Sequence, residues 1–394
     1  MTNKTLHIDL GGISYWPDEA ITGIPRVTLS LAKEISHLDE YRNTDLNLMS
    51  LLHDDHKIPD NVLKKFDLAD VYQDLSSADG IIFLLDIYYF KYNFLNKLPE
   101  DIRRKFTVVD YIHDIIPVTT DNLFDISKFK FKHLIRQAFQ FSDAIMTPSK
   151  KTVDDIINYI ISDDDINVGQ SLKLGYNYHG ADFAGTQVIS TNVHSSTQPD
   201  MPYFLMVGTI EVRKNHLHVL KAFEKLWAQG IDATLCIAGR IGWKVEPWVE
   251  KIGNHPERDK RLFFINEPTD EELAQLYANA YCLIFASIDE GFGLPVVEAA
   301  HYKVPLLLSD ITIFREIAGP HARYFSLDNE NFLVQAIIDF QRDASAGLLE
   351  EDSSKIKEIS WSQSAKNLLD SIIDDRWYCT IHADKSVEYH STQD

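Results

Sequence analysis

Tyr203-Phe204-Leu205-Met206-Val207-Gly208-Thr209-Ile210-Glu211-Val212-Arg213-Lys214-Asn215-His216 changes its period half-way, and that change decides the fold. Five consecutive apolar residues closed by Gly208 read as a short strand covered on both faces. From Asn215, a good helix N-cap, the spacing turns helical. Leu217, Leu220, Phe223 and Trp227 share one face, and Gly230 stops the run. This strand, turn and helix repeat. Strands follow at 233–238 and 262–265, and Thr269-Asp270-Glu271-Glu272 is a capping box opening a helix through Leu276 and Tyr277. A strand at 282–286 runs into a glycine loop and a helix with Pro295 in its first turn; a further strand spans 304–308.

The first half alternates in the same way. Strands are expected at 6–10, ending at Gly11-Gly12, at 81–85, at 106–112, ending at His113-Asp114, and at 144–147; helices at 24–35, 131–141 and 152–161. Residues 187–202 are rich in Ser, Thr, Asn, Asp and Pro without an apolar period, and read as a linker. The alternation predicts an α/β class with parallel sheets covered on both faces, which bind ligands beyond the carboxyl ends of their strands. Two such sheets in tandem predict a substrate cleft between domains. The expected division is 1–195, 196–370 and a tail 371–394, with the helix from Trp361 closing the second domain and the residues from Lys385 loose.

At 394 residues the chain exceeds one ordinary domain, and 45% hydrophobic with 25% charged residues is a globular composition. A net charge of −21 argues against nucleic-acid binding, which needs a basic surface to displace counterions. No apolar run reaches the ~20 residues needed to span a bilayer. The N-terminus reads directly into a strand, without a signal peptide's apolar core. Cys236, Cys282 and Cys379 lack metal-ligand spacing and read as buried free thiols, so a reducing compartment, the cytoplasm, is expected. Lys128, Lys130, Lys132, His133 and Arg136, and Arg103-Arg104-Lys105, are basic islands in an acidic chain. They read either as solvated faces or as a contact with anionic lipid head groups or a phosphate-bearing acceptor.

In Glu290-Gly291-Phe292-Gly293-Leu294-Pro295-Val296-Val297-Glu298 a strand ends, two glycines follow and a helix begins. Such glycines let backbone N–H groups approach an anion, and the helix start adds partial positive charge. Glu290 and Glu298 read either as partners for ligand hydroxyls or as a solvated loop residue and a helix-start carboxylate. Arg213 and Lys214 read either as surface cations or as a grip on a diphosphate through charge-assisted hydrogen bonds. Asp163-Asp164-Asp165 contains an Asp-x-Asp pattern, but no apolar strand precedes it, and it reads as a solvated turn. His53-Asp54-Asp55-His56 reads as a polar loop, because adjacent side chains diverge. No metal site is expected.

The Glu290 and Glu298 pair resembles the Glu-x7-Glu signature of the retaining GT-B glycosyltransferases of glycosyltransferase family 4, in the form of bacterial O-antigen and capsule mannosyltransferases. Four further segments match that family in order: Thr22-Gly23-Ile24-Pro25-Arg26, Tyr111-Ile112-His113-Asp114-Ile115-Ile116-Pro117, residues 141–149, and residues 207–216. The resemblance covers nearly the whole chain. It implies two Rossmann-like domains facing each other across a cleft, the acceptor in the first and the nucleotide-sugar donor in the second. His113, Glu290, Arg213 and Lys214 are then the catalytic set. Arg213 and Lys214 would hold the donor phosphates, Glu290 the sugar hydroxyls and Glu298 the ribose. Gly291, Phe292, Gly293 and Leu294 would form the loop around the donor, and Asn266 would lie at the base. Gly23 would approach the donor phosphate, with Gly11-Gly12 competing for that role, and Asp114 and Arg26 would face the acceptor. Thr209 departs from the pattern, since many members carry Arg there, and Arg213 would supply more of the phosphate contact. In similar proteins the terminal helix crosses back onto the first domain, which gives Trp377-Tyr378 an anchoring role.

The implied reaction is hexose transfer with retention, without metal or cofactor, to a lipid-linked or oligosaccharide acceptor at the inner face of the cytoplasmic membrane. GDP-mannose leads as donor, ahead of UDP-glucose and dTDP-rhamnose. A glycogen phosphorylase-like enzyme with pyridoxal phosphate, and a non-catalytic nucleotide-sugar-binding partner, are the competing readings.

Overall fold

The computed structural model describes residues 4–10, 23–38, 41–49, 79–85, 100–120, 128–182, 199, 201–242 and 245–390. Gly11-Gly12, His53-Asp54-Asp55-His56 and most of the expected linker lie outside them. The chain divides into two compact units. Unit 1 is Met1–Asp121, Ile126–Gly180 and Ile359–Asp394, and unit 2 is Asn122–Asp125 and Ala181–Glu358.

The N-terminal part of unit 1 runs β1 (Lys4–Asp9), α1 (Ile24–Ser36), β2 (Thr44–Met49), β3 (Gly80–Leu84), α2 (Glu100–Arg103) and β4 (Phe106–Tyr111). It continues through α3 (Ile116–Thr119), α4 (Lys128–Phe141), β5 (Ala144–Thr147), α5 (Lys150–Ser162) and β6 (Ser171–Tyr176). All six strands pair in parallel. Val108, Ile145 and Leu174 cover one face together with Ile135 and Phe139 of α4 and Val153, Ile156 and Ile160 of α5. β2 and β6 had no clear sequence signal: β2, Thr-Asp-Leu-Asn-Leu-Met, alternates polar and apolar over few residues.

Unit 2 comprises β7 (Tyr203–Val207), α6 (His216–Ala228), β8 (Thr234–Ala238), α7 (Glu246–Gly253), β9 (Leu262–Ile265), α8 (Asp270–Asn279) and β10 (Cys282–Phe285). It continues with α9 (Leu294–His301), β11 (Leu306–Ser309), α10 (Thr312–Ala318), β12 (Arg323–Phe325) and α11 (Glu330–Ala346). Alternate residues of β7 explain its unbroken apolar run. Phe204 and Met206 pack with Phe223 of α6 and Phe340 of α11, while Leu205 and Val207 pack with Leu276 of α8, Val296 of α9 and Ile313 of α10. The sheet order is β12-β11-β10-β7-β8-β9, with every pairing parallel. The chain leaves β7 in one direction and returns to β10 on the other side. The carboxyl ends of β7 and β10 are therefore a topological switch point, where such sheets hold ligands.

Two local expectations are corrected in α6. Asn215 stands at the N-cap in the left-handed region (φ 62°, ψ 36°) and makes no side-chain cap bond. It follows a tight turn, Val212–Lys214, and asparagine tolerates this conformation. Leu217 is exposed, because the buried arc is centred on Val219, Phe223 and Leu226, nearly half a turn away.

The C-terminal segment corrects the expected boundaries. α12 (Trp361–Ile373) belongs to unit 1, where it packs against α1. Its buried face is Trp361, Ala365, Leu368, Leu369 and Ile372. Asn177 Nδ2 donates to Ser364 Oγ at 3.0 Å, Ser364 Oγ donates to the Tyr178 carbonyl at 2.7 Å, and Tyr41 Oη donates to Asp370 at 2.9 Å. β13 (Cys379–His382) then adds antiparallel to β6, and β14 (Val387–Tyr389) to β13, giving the order β14-β13-β6-β5-β4-β3-β1-β2. Residues expected to be loose thus form an edge strand. The backbone groups of β6 and β13 require a partner, and the hairpin supplies it. Tyr378 N–H donates to the Leu174 carbonyl at 2.8 Å.

Candidate active site

The segments that leave β7 and β10 meet at the switch point of unit 2. Arg213 donates from Nη1 to Glu290 Oε2 and, at 2.9 Å, to the Asp289 carbonyl; its Nη2 reaches Glu211 Oε1 at 2.8 Å. Lys214 Nζ donates to Glu290 Oε1 at 2.5 Å and lies 4.7 Å from the centre of the Phe285 ring. Ser287 Oγ donates to the same Oε1 at 2.7 Å, and Ile288 N–H donates to the Arg213 carbonyl at 2.9 Å. Glu290 is 5% exposed and Glu211 6%, so the solvated-loop reading of Glu290 does not hold. Burial is the largest influence on both Glu290 and Lys214, and it opposes charge on each. At Glu290 the cations Arg213 and Lys214 outweigh it and bring the carboxyl down to about 2. At Lys214 burial, helped by Arg213, draws the ammonium below its ordinary value against the pull of Glu290 and Glu211.

The following loop is buried through Gly291, Phe292 and Gly293, and Phe292 packs on Val297 and Ala181. Gly293 is the N-cap of α9 in the left-handed region (φ 103°), and a Cβ there would stand 3.0 Å from the Phe314 ring. Both facts call for glycine. Leu294 opens α9, with Pro295 in its first turn. One turn on, buried Glu298 accepts from Tyr277 Oη at 2.8 Å, and the Tyr277 ring stacks on Tyr302 at 5.8 Å. Asn266 is exposed beyond the carboxyl end of β9, two strands from β7.

The other candidates lie in unit 1. Gly23 is the exposed N-cap of α1 at φ 63°, with Arg26 half-buried in the first turn. His113 follows β4 and is 8% exposed; its ring centre lies 4.9 Å from Tyr111 and 6.3 Å from His179. The Tyr111 hydroxyl and His179 Nε2 share a hydrogen bond at 3.0 Å, and the His179 ring stacks on Trp361 at 5.8 Å. Burial, then His113, holds the His179 imidazole well below its ordinary pKa and so neutral. Asp114 accepts from Ile116 N–H at 3.1 Å, which fixes the turn into α3.

Sequence reasoning passed over four residues that touch these groups: Glu211, Ser287, Tyr277 and His179. Glu211 had a signal, a carboxylate two residues before adjacent cations. Ser287 stands three residues before Glu290 but belongs to no pattern that marks it, and Tyr277 and His179 act across the fold and had no signal.

The basic island is modified by its neighbour. Lys132 Nζ and Arg136 Nη2 reach Asp163 Oδ2 at 2.9 and 2.8 Å, and their hydrogen bonds hold that carboxyl down at about 2. Asp163 is therefore an ion-pair partner of α4 rather than a solvated turn residue. Phe129 (81% exposed), Lys130 and His133 form the outward side of the first turns of α4, and the Lys128 side chain lies outside the described residues. Among the described residues no group of three or more His, Cys, Asp or Glu could hold a metal, and no helix is long and apolar enough to cross a membrane. A groove of about 830 Å³ lies at the far end of α6, lined by Glu224, Trp227, Lys251, His255 and Arg261. Its charges pair internally, Lys251 with Glu224 at 2.9 Å and Arg261 with Glu257 at 2.8 Å. At ~16 Å along the helix from His216 it is no part of the cluster.

The family model described as "Glycosyl transferases group 1" matches residues 190–357, which span the whole Arg213, Lys214, Glu290 and Glu298 arrangement. Unit 2 is a group 1 glycosyltransferase domain. The serotype-specific mannosyltransferase WbdA of Escherichia coli is 35% identical over 274 residues, covering 66% of this chain and 33% of the relative. The chain thus spans about a third of that relative's length. The O-antigen chain mannosyltransferase RfbU of Salmonella typhimurium is 27% identical over 235 residues, 59% of this chain and 60% of RfbU. Among solved structures, sucrose-phosphate synthase of Thermosynechococcus elongatus aligns over 94% of this chain and 96% of its own, with TM-score 0.61 and 13% identity. Anabaena HepE in complex with UDP and glucose aligns over 95% and 97%, with TM-score 0.59 and 13% identity. At that identity the likeness concerns the fold alone, and it gives the glycosyltransferase domain its GT-B setting.

Proposed function

We propose that this chain transfers a hexose from a nucleoside-diphosphate sugar to a lipid-linked or oligosaccharide acceptor, with retention at the anomeric carbon, in bacterial surface polysaccharide synthesis. One observation carries the reading. Two largely covered cations and a buried carboxylate converge at the switch point of a group 1 domain, where a diphosphate and the sugar beyond it would lie. In the proposed step the bond from the anomeric carbon to the diphosphate oxygen breaks and the acceptor oxygen bonds to that carbon on the same face. The acceptor proton passes to the departing phosphate. Arg213 and Lys214 then stabilise negative charge as it grows on the leaving group, which is the largest contribution a preorganised site makes.

The remaining roles follow the family resemblance. Glu290 accepts from sugar hydroxyls; Glu298, oriented by Tyr277, accepts from the ribose; Asn266 lies at the base; His113 and Gly23 are assigned to the donor by the same resemblance. Arg26 faces the acceptor, and Asp114, already committed to the turn into α3, does so with its second oxygen. Because the protein brings its own cations to the diphosphate, the reaction needs no metal or other cofactor, and EDTA should leave the rate unchanged. GDP-mannose is the favoured donor, supported by the similarity to the mannosyltransferases WbdA and RfbU.

A turnover screen with GDP-mannose, UDP-glucose and dTDP-rhamnose tests the reading. Release of the nucleoside diphosphate from one of them, dependent on acceptor, is expected. Binding without turnover would instead favour the non-catalytic nucleotide-sugar partner, and visible absorbance of the purified protein would favour the pyridoxal phosphate enzyme.

We place the reaction at the inner face of the cytoplasmic membrane, with Phe129 and Lys130 at the contact and Lys128, Lys132 and Arg136 beside them. The variant carrying Phe129→Ser and Lys130→Glu should bind vesicles rich in anionic lipid about fivefold or more weakly, since each basic residue near such a surface contributes ~1 kcal/mol. Unchanged binding would remove the membrane contact and leave the transfer reaction untouched.

A further inference from the structure

Glu290 is more closely held than a residue waiting for sugar hydroxyls needs to be. Its Oε2 accepts from Arg213, and its Oε1 accepts from both Lys214 and Ser287. Glu211 takes the other side of the Arg213 guanidinium at 2.8 Å. The four charges are two cations and two carboxylates, so the cluster is locally neutral. It is also largely covered by protein: side-chain exposure is 12% at Arg213, 11% at Lys214, 7% at Glu290 and 5% at Glu211. A diphosphate approaching it meets cations whose charge is already answered from inside the protein, and in such surroundings the internal pairing is worth far more than in water.

The donor and acceptor chemistry shows what could release that pairing. A carboxylate only accepts hydrogen bonds, and ammonium and guanidinium groups only donate. Phosphate oxygens accept, and sugar hydroxyls donate. A nucleotide sugar therefore brings both halves of an exchange. Its phosphates replace Glu290 on the cations, while its hydroxyls replace the cations on Glu290, and no buried group loses a partner. A bare nucleoside diphosphate brings only the first half.

We propose that Glu290 couples recognition of the donor sugar to the grip of Arg213 and Lys214 on the diphosphate, acting as an internal competitor that is drawn aside by sugar hydroxyls. The proposal rests on the donor-site reading above and deepens it. It makes Glu290 a determinant of the preference for the sugar-bearing donor over the sugar-free product, which eases product release.

Isothermal titration at fixed ionic strength tests it, with GDP and GDP-mannose, or UDP and UDP-glucose if uridine nucleotides bind. Wild-type protein should bind the nucleotide sugar more tightly than the diphosphate. Glu290→Gln should bind the bare diphosphate about tenfold more tightly and lose most of the preference for the sugar. Glu211→Gln, which removes the carboxylate that hydrogen-bonds Arg213 and attracts Lys214 only through space, should tighten both ligands alike and keep the preference. Should Glu290→Gln fail to fold, wild-type protein gives a second reading: free mannose, or glucose with UDP, should raise affinity for the diphosphate, as reciprocal coupling requires. Unchanged or weaker diphosphate binding by Glu290→Gln, loss of the preference in Glu211→Gln, or absence of sugar coupling in the wild type would each overturn the proposal. Failure of the wild type to bind any of these nucleotides would overturn the donor-site reading instead.

Discussion

Lys214→Ala is expected to lower kcat about a thousandfold while the protein stays folded. Removing one preorganised donor from developing negative charge typically costs ~10²–10³ in rate, and a buried cation stands at the upper end. Lys214 is the cleaner of the two cations to remove. The Arg213 guanidinium also holds the Asp289 carbonyl, so its loss would disturb the loop that carries Glu290. Lys214 uses only its ammonium on Glu290 and the Phe285 ring. In the variant, Glu290 keeps Arg213 and Ser287, which leaves the carboxylate paired and the unfolding temperature lower by only a few degrees. Steady-state turnover with the donor found in the screen, beside a circular-dichroism melt, checks both halves. Near-normal turnover would end the assignment of Lys214 to the leaving group.

Gly180→Ala should destabilise unit 1 by about 2–4 kcal/mol, a large value for one methyl group. A Cβ at this position would stand 2.4 Å from Trp361 N, 2.6 Å from Trp361 Cα and 2.6 Å from Trp361 Cγ. Two of these are backbone atoms at the start of α12, so no rotamer change relieves the overlap. α12 would have to move, and with it the bonds of Ser364 to Asn177 and Tyr178 and the stack of Trp361 on His179. Because the two units need not unfold together, the readout is hydrogen exchange across residues 361–373 alongside the global melt. Unchanged protection there would be incompatible with the seat of α12 on unit 1. The same variant probes His113 indirectly, since His179 links Tyr111 beside it to Trp361.

Legibility differed between the two halves for physical reasons. In unit 2 the four inner strands β7, β8, β10 and β11 are buried on both faces, and several turns have their own chemistry: the capping box at Thr269, Gly208, Gly293 and Pro295. Local pattern and tertiary environment agree there, so the strands from β7 to β11 and the helices α6, α8 and α9 were readable, whereas α7, α10, β12 and α11 carried no signal that was read. In unit 1, β2 is short and alternating, and β13 and β14 lie where a polar tail was expected. Their place depends on an edge of β6 formed some 200 residues earlier, a demand that no local window contains.

For the site, sequence alone determined which groups carry charge and which turns they occupy. Arg213 and Lys214 follow one strand, and Glu290, Gly291 and Gly293 follow another, because strand, glycine and helix are local properties of the chain. That Glu290 lies between both cations, with Glu211 and Ser287 completing the set, was decided by the tertiary structure. The order β10-β7 brings two distant turns to one crevice, and burial makes their pairing strong enough to shift the charges they hold. In the same way, sequence set the amphipathic face of α12, and only the fold chose the surface that covers it. An apolar stripe requires a partner but does not specify one, and Gly180 leaves the space in which Trp361 fits.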